Sequence, residues 1–359
     1  MNKKLIALAV AGACVVPAAM AQTANPVTLY GRVHVTFESV EAGGSTAGTL
    51  PRRERVQDQA SLLGVRGTED LGGGLKAFFQ LETAFKPDEN NTTFAARNSG
   101  VGLQGGWGSV LIGRWDVPLK VTADNIDPQG DVLLGGITAA LNGSGVRSQQ
   151  GQFDRREQNN IQYWSPTWAG VAVRLSYMAN EGRTATLNPR SNGASVTWTG
   201  GPLYVGYAYH ELYDTAFGAA PSTVTTPQKQ TADAVFGTVA FGPLKFGAAY
   251  EKIKRSNFTD QKAWLGNVVW TIGNNQLFYQ YSKANDGEVS TIATQPQCKV
   301  NVVGWQYNWS RRTFFVGEYA KIENNVTGTC NFSVTPGPIT TNIAGSNPHG
   351  VSLGIRHIF

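Results

Sequence analysis

The chain has 359 residues, with 30 basic and 25 acidic side chains, 42 glycines and 41% hydrophobic residues. That charge balance is too mild to imply nucleic acid, and beyond the N-terminal region no apolar run approaches the roughly 18 residues of a membrane helix. A helical membrane protein is excluded on that count, whereas a membrane barrel is not, because alternating strands hide their lipid face from a hydropathy average.

At the N-terminus, Lys3 and Lys4 precede an apolar run from Leu5 to Val16, followed by Pro17 and the small-residue stretch Ala19-Met20-Ala21. This is the anatomy of a secretory signal peptide with an A-x-A cleavage site before Gln22. A lipoprotein signal at Cys14 would want a large aliphatic residue three positions earlier, where Ala11 stands. Residues 1–21 are therefore read as signal peptide. Residues 22–359 are read as one barrel domain of 338 residues with a formal charge of +3.

From Val27 onward the sequence is a succession of period-2 segments rich in Val, Tyr, Phe and Thr, without sustained helical periodicity. Their connections alternate in kind. Seven are tight and rich in Gly, Pro and Asn, at 70–73, 105–108, 165–167, 200–202, 242–243, 273–275 and 310–312. Eight are long and polar, around 41–55, 86–93, 116–154, 180–192, 213–231, 254–260, 285–298 and 323–348. Seven short and eight long connections join sixteen strands and leave both termini on the short-turn rim, as in outer-membrane barrels with short periplasmic turns and long external loops. A soluble sandwich or propeller has no reason to sort loop length by rim, and no fixed-period repeat marks propeller blades.

Aromatics such as Trp107, Tyr163, Trp164, Trp168, Trp198, Tyr204, Phe241, Trp270, Trp309 and Phe314 sit beside the short turns, where a bilayer barrel wants a headgroup girdle. In the last segment Val351, Leu353, Ile355, His357 and Phe359 share one face, and Ser352, Gly354 and Arg356 the other. Two cysteines survive cleavage, Cys298 and Cys330, at the open end of the hairpin that turns at Trp309-Ser310-Arg311-Arg312. Export permits a disulfide between neighbouring long loops; two free thiols are the alternative. No second thiol or histidine stands at ligand spacing, so neither metal nor cofactor is implied.

The mature chain resembles the trimeric general porins of Gram-negative bacteria, especially the neisserial and burkholderial branch, over essentially its whole length. The resemblance is carried by TLYGRVHVTFE from Thr28, GVRGTEDLGGGLKAFFQLE from Gly64, RNSGVGLQGGWGSVLIGRWDVP from Arg97, NNIQYWSPTWAGVAVRLSY from Asn159 and the ending LGIRHIF. It implies an all-β, 16-stranded antiparallel transmembrane barrel in the outer membrane and a homotrimer of independent water-filled pores for ions and small hydrophilic solutes. The third long loop, 116–154, would fold inward as a constriction. Implied partners are outer-membrane lipid, lipopolysaccharide and the barrel-assembly machinery, which would read Phe359 as its signal. One departure is Leu62, where family members often carry a basic residue.

A pore needs an open lumen, a neck and charges that favour some solutes. Parity turns Arg32, His34 and Glu38 inward from the first strand, because Val33, Val35 and Phe37 share the lipid face. Arg174 and Glu82 are inward by the same logic, and Lys76, Lys245 and Arg356 are inward near the periplasmic mouth. Arg97 and Arg114 share parity with outward apolar residues, so they are either turned inward by a bulge or buried at a subunit interface. Opposite this wall the loop offers Asp116, Asp124, Asp127 and Asp131, with Lys120 and Arg147 as its basic members. Acid facing base gives a transverse field, and the positive wall charges Arg32 and Arg174 lead us to expect a weakly anion-preferring pore. A substrate-specific porin would show an aromatic track, which Tyr163, Tyr177 and Tyr207 do not form in the lumen by parity. A rim-site enzyme would have only His210-Glu211 and His349 to work with, without a strained serine motif beside them. A non-channel adhesin or structural barrel is the remaining class.

Overall fold

The computed structural model describes residues 27–44, 50–89, 91–128, 133–141, 153–215, 227–256, 260–286, 296–332 and 343–359. Residues 1–21, Asp131 and Arg147 lie outside the described residues. Eighteen strand segments make one antiparallel sheet. They are β1 (Thr28–Gly43), β2 (Leu50–Asp58), β3 (Leu62–Gly72), β4 (Leu75–Lys86), β5 (Asn91–Thr93), β6 (Ser99–Gly105), β7 (Gly108–Asp116), β8 (Arg156–Trp164) and β9 (Val171–Met178), followed by β10 (Arg190–Gly200), β11 (Leu203–Tyr213), β12 (Lys229–Phe241), β13 (Leu244–Arg255), β14 (Gln261–Ile272), β15 (Asn275–Asp286), β16 (Gln297–Asn308), β17 (Thr313–Asn324) and β18 (Asn347–Ile358).

β2 and β3 are two halves of one stave, both pairing with β1, and β5 and β6 are two halves of another, both pairing with β4. Eighteen segments less these two breaks give sixteen staves. β18 returns to pair with β1 from Arg32↔Ile358 to Gly43↔Asn347, which closes the barrel and removes both sheet edges. The final backbone groups join the closure: Gly31 N–H donates to the Phe359 carbonyl at 3.1 Å, and Phe359 N–H donates to that of Gly31 at 3.0 Å. The Phe359 ring lies across Gly31, where an added Cβ would come within 2.6 Å of it.

The tight connections follow their residue chemistry. Gly242, for example, takes φ +55°, a left-handed conformation that other residues adopt only at a cost, and so turns β12 into β13 beside Pro243. The first two long connections are shorter than the sequence suggests, because β1 and β2 extend to 43 and from 50, and β4 and β5 leave only 87–90 between them. The polar character there comes from strand ends and from the two breaks.

Alternation sends apolar side chains outward all round. Phe37, Val101, Ile112, Val205, Val235, Phe246, Trp270, Val303, Leu353 and Ile355 are all exposed. So extensive an apolar band is untenable in water and matches the lipid-facing belt of a membrane barrel. The core of the protein lies inside the barrel. Between β7 and β8 the chain folds inward, and its helix α1 (Pro118–Ala123) packs on β9 to β12.

Candidate functional site

The inserted segment narrows the lumen because the wall behind it is made to receive it. Alternation alone would give a polar inner face, yet β11 to β17 turn Ala208, Ala232, Ala234, Phe236, Leu265, Val300, Val302 and Ala320 inward, all buried. Leu119, Ile126, Leu134, Ile137, Leu141 and Phe153 of the insertion are fully buried in the same cluster. Each such side chain contributes about 1.5–3 kcal/mol on burial. Small wall residues let the backbones approach closely: a Cβ on Gly206 would stand 2.6 Å from Thr122, and one on Gly135 of the insertion would stand 2.2 Å from Val302.

Polar tethers fix the segment along its length. Asn267 Nδ2 donates to the Ile126 carbonyl at 2.7 Å, and Gln280 Nε2 donates to that of Gly135 at 2.9 Å. Gly135 N–H donates to Glu318 at 2.7 Å, and the Tyr204 hydroxyl to the Thr122 carbonyl at 3.3 Å. At its root, Gln162 Nε2 donates to the Asp116 carbonyl at 3.0 Å, and Lys120 pairs with Asp154.

The remaining wall, β1 to β9 with β18, carries the basic groups. Arg32 Nε donates to the Ala60 carbonyl in the first stave break. Arg97 lies in the second break, where Ala95 takes φ +53°, and its guanidinium faces Glu82 at 3.8 Å. Glu82 also accepts from the Tyr30 hydroxyl at 2.9 Å. Arg32, Arg97 and Arg156 are close enough to feel one another's charge, and Arg32 also feels Arg356, the cross-strand partner of His34. Arg97 thus stands at a break between two strand segments, where parity along one strand does not apply. Arg114 is different: its pairing with Ser99 follows the exposed pair Val101↔Ile112, so it keeps outward parity, with its Nε donating to the Ala96 carbonyl at 2.8 Å.

Several expected positions shift. Asp116 is the last residue of β7 and belongs to the wall, ion-paired with Arg156 at 3.1 Å and bridged to it through Asn98. His34 is inward but only 1% exposed, so it is covered rather than open to the lumen. Glu38 is likewise buried, held by Arg55 at 2.7 Å and Gln59 at 2.7 Å. Leu62 faces inward opposite Arg32, leaving that position apolar. His210 lies close to the long-connection end of β11 but is not open there: it is buried beneath Phe153 with Nε2 3.2 Å from Glu157, whose other oxygen accepts from Ser191 at 2.5 Å. His349 bonds Glu41 at 2.9 Å.

Three supposed girdle aromatics are internal. Trp164 stacks near Phe78 and Trp115 and carries the Arg174 guanidinium 5.0 Å above its ring. Tyr204 reaches the insertion, and Phe314 lies under Arg356 at 4.7 Å. Closeness to a short turn made these residues look like girdle members; parity within each strand was the signal that places them inside. Arg156 was missed because a shift of register between Gly113 and Trp115 breaks simple counting along β8, where Asn159 takes φ +54°.

On the insertion, Asp124 closes α1. It keeps contact with lumen water, yet the surrounding wall displaces bulk solvent, and this enclosure pushes its carboxyl up to about 7. Lys120 pulls in the opposite direction, while Asp154, Asp116 and Asp127 add to the rise. Arg356 feels the charge of Asp127. At the external rim Cys298 and Cys330 are joined in a disulfide with Cα atoms 6.1 Å apart.

Comparison with known proteins agrees with this geometry. Residues 6–327 match the family model described as Gram-negative porin. The chain is 31% identical to outer membrane porin protein 32 of Delftia acidovorans over the whole of both chains. It is 27% identical to major outer membrane protein P.IB of Neisseria meningitidis serogroup B, covering 87% of this chain and 91% of that one. Among solved structures, an anion-selective porin from Comamonas acidovorans superposes with a TM-score of 0.79 at 26% identity, covering 93% of this chain and all of that one. The trimer form of OmpT from Vibrio cholerae, at 17% identity and a TM-score of 0.68, shares the fold.

Proposed function

Because the chain belongs to the Gram-negative porin family and is an outer-membrane diffusion channel rather than an enzyme, we propose that it passes small hydrophilic solutes and ions with a weak preference for anions. The observation that carries the preference is the arc of Arg32, Arg97, Arg156 and Arg356 on the wall facing the insertion. Of the acids nearby, Asp116 is matched by Arg156, Glu82 by Arg97, Asp154 by Lys120 and Asp127 by Arg356, while Asp124 is only partly ionised near neutrality, so the surplus positive charge of the arc rests on Arg32. Positive potential in a narrow, low-dielectric passage raises local anion concentration. The anion-selective relative from Comamonas acidovorans supports the same sign.

The insertion is read as the constriction, with Asp124 and Asp127 facing the wall. The homotrimer, the signal peptide 1–21, contact with lipopolysaccharide and recognition of Phe359 by the assembly machinery belong to the same proposal. Single-channel recording of the unheated protein in asymmetric KCl tests it: steps closing in threes with a reversal potential favouring chloride are expected, and a clear cation preference refutes the charge assignment. N-terminal sequencing of the mature protein should begin at Gln22. A substrate-specific channel is the second reading, favoured by the internal arginine-on-ring pairs Arg174–Trp164 and Arg356–Phe314. It predicts that an aromatic carboxylate blocks chloride current at concentrations where acetate does not.

A further inference from the structure

On the outside of the barrel, near the rim of long connections, β13 to β16 carry five outward lysines, of which Lys254 lies at the end of β13 and the other four form two cross-strand pairs. Lys252 is the cross-strand partner of Lys262, and Lys283 that of Lys299. Register places them outward, since Lys252 and Lys262 share the parity of the exposed Tyr250 and Trp264, and Trp264 is itself the partner of Lys283. Side chains opposed in this way have Cβ atoms about 4.5–5.5 Å apart, and like charges so placed repel.

Acids relieve only the edges of the group. Asp260 pairs with Lys252 at 2.9 Å, Asp233 stands across the sheet from Lys252, and Glu323 stands opposite Lys299 while pairing with Lys321 at 2.7 Å. Between them, Lys262 and Lys283 meet no acid among the described residues. Beside and below these two lie the rings of Trp264 and Tyr281, with centroids 5.1 Å apart, and the exposed faces of Tyr250 and Tyr279 continue toward the middle of the barrel. Unmatched positive charge directly above an aromatic and apolar strip, on the long-connection rim, stands at the headgroup level of the external leaflet.

We propose that this patch binds a phosphate-bearing lipid of the external leaflet, its phosphate between Lys262 and Lys283 and its acyl chains along Trp264, Tyr281, Tyr279 and Tyr250. The proposal rests on the outer-membrane reading above and gives it a place and a headgroup chemistry.

The test titrates the intact detergent-solubilised protein with diphosphorylated lipid A in mixed micelles and reads the bound lipid by native mass spectrometry. Dephosphorylated lipid A and inorganic phosphate serve as separate arms. Lysine near an anionic headgroup is worth enough that K262Q/K283Q should weaken lipid A binding by about thirtyfold. K262R/K283R should retain binding, dephosphorylated lipid should bind weakly, and inorganic phosphate should not compete. Unchanged affinity of K262Q/K283Q, or equal binding of the dephosphorylated lipid, overturns the proposal; competition by inorganic phosphate overturns the lipid as occupant. Channel conductance in the same preparations is read independently. K262Q/K283Q should conduct as the native protein does, and a native protein that binds lipid A without conducting would sink the channel reading while leaving this one standing.

Discussion

The two halves of the barrel do different work with the same alternation. From β10 to β17 the staves are long and unbroken, and their inner face is built of alanine, valine and buried phenylalanine that receive the inserted segment. From β1 to β9 two staves are broken, at 59–61 and 94–98, and the inner face carries Arg32, Arg97 and Arg174. One half is a seat and the other an electrostatic wall. The solute path is what remains between them, so seat mutations should change its width and wall mutations its sign.

The largest effect is expected from the seat. Gly135→Val places a side chain where Val302 already stands 2.2 Å from an added Cβ, so the insertion must lift away. Single-channel conductance should rise severalfold with little change in ion preference; an unchanged conductance would mean that the insertion does not set the width. Phe236→Ala, which opens a cavity under the same segment, should cost about 3–5 kcal/mol, measured by denaturant unfolding in detergent.

Wall changes should do the converse. Neutralising Arg32 and Arg97 together, as R32Q/R97Q, should move the reversal potential in asymmetric KCl away from chloride and past zero, with conductance altered far less than in the Gly135 variant. If the potential stays put, the arginine arc is not the filter. The rim disulfide belongs to the seat half, and C298S/C330S should lose about 3–4 kcal/mol through the freed 32-residue separation, seen as earlier thermal unfolding with unchanged selectivity.

The smallest effect sharpens the boundary between the halves. With its carboxyl raised to about 7, Asp124 is neutral below that pH and negative above it. Chloride preference should therefore decline as pH rises from about 6 to about 8, and Asp124→Asn should abolish the decline. A slope that survives the substitution assigns the titration to another group.

Strand number, the alternation of short and long connections and the length of the third long connection were legible in the chain, because period-2 alternation and turn residues act locally and repeat sixteen times, whereas the inward course of that connection was implied only by the family resemblance. The inward parity of Arg32 and Arg174 was legible for the same reason. Arg97 and Arg156 were not, because a break or a shift of register undoes counting, and only pairing with neighbouring strands shows where parity resumes. Nor does a row of alanines announce itself as a seat: Ala208, Ala232 and Ala234 become one surface only when adjacent strands align and the insertion lies on them. The lysine quartet has the same origin, since its members lie on four different strands and meet only across the sheet. By itself the sequence determined which face of each strand meets lipid, since that depends on the pattern within one strand. Tertiary structure decided the path and its charge, since these depend on which strands stand beside one another and on where a distant segment is held.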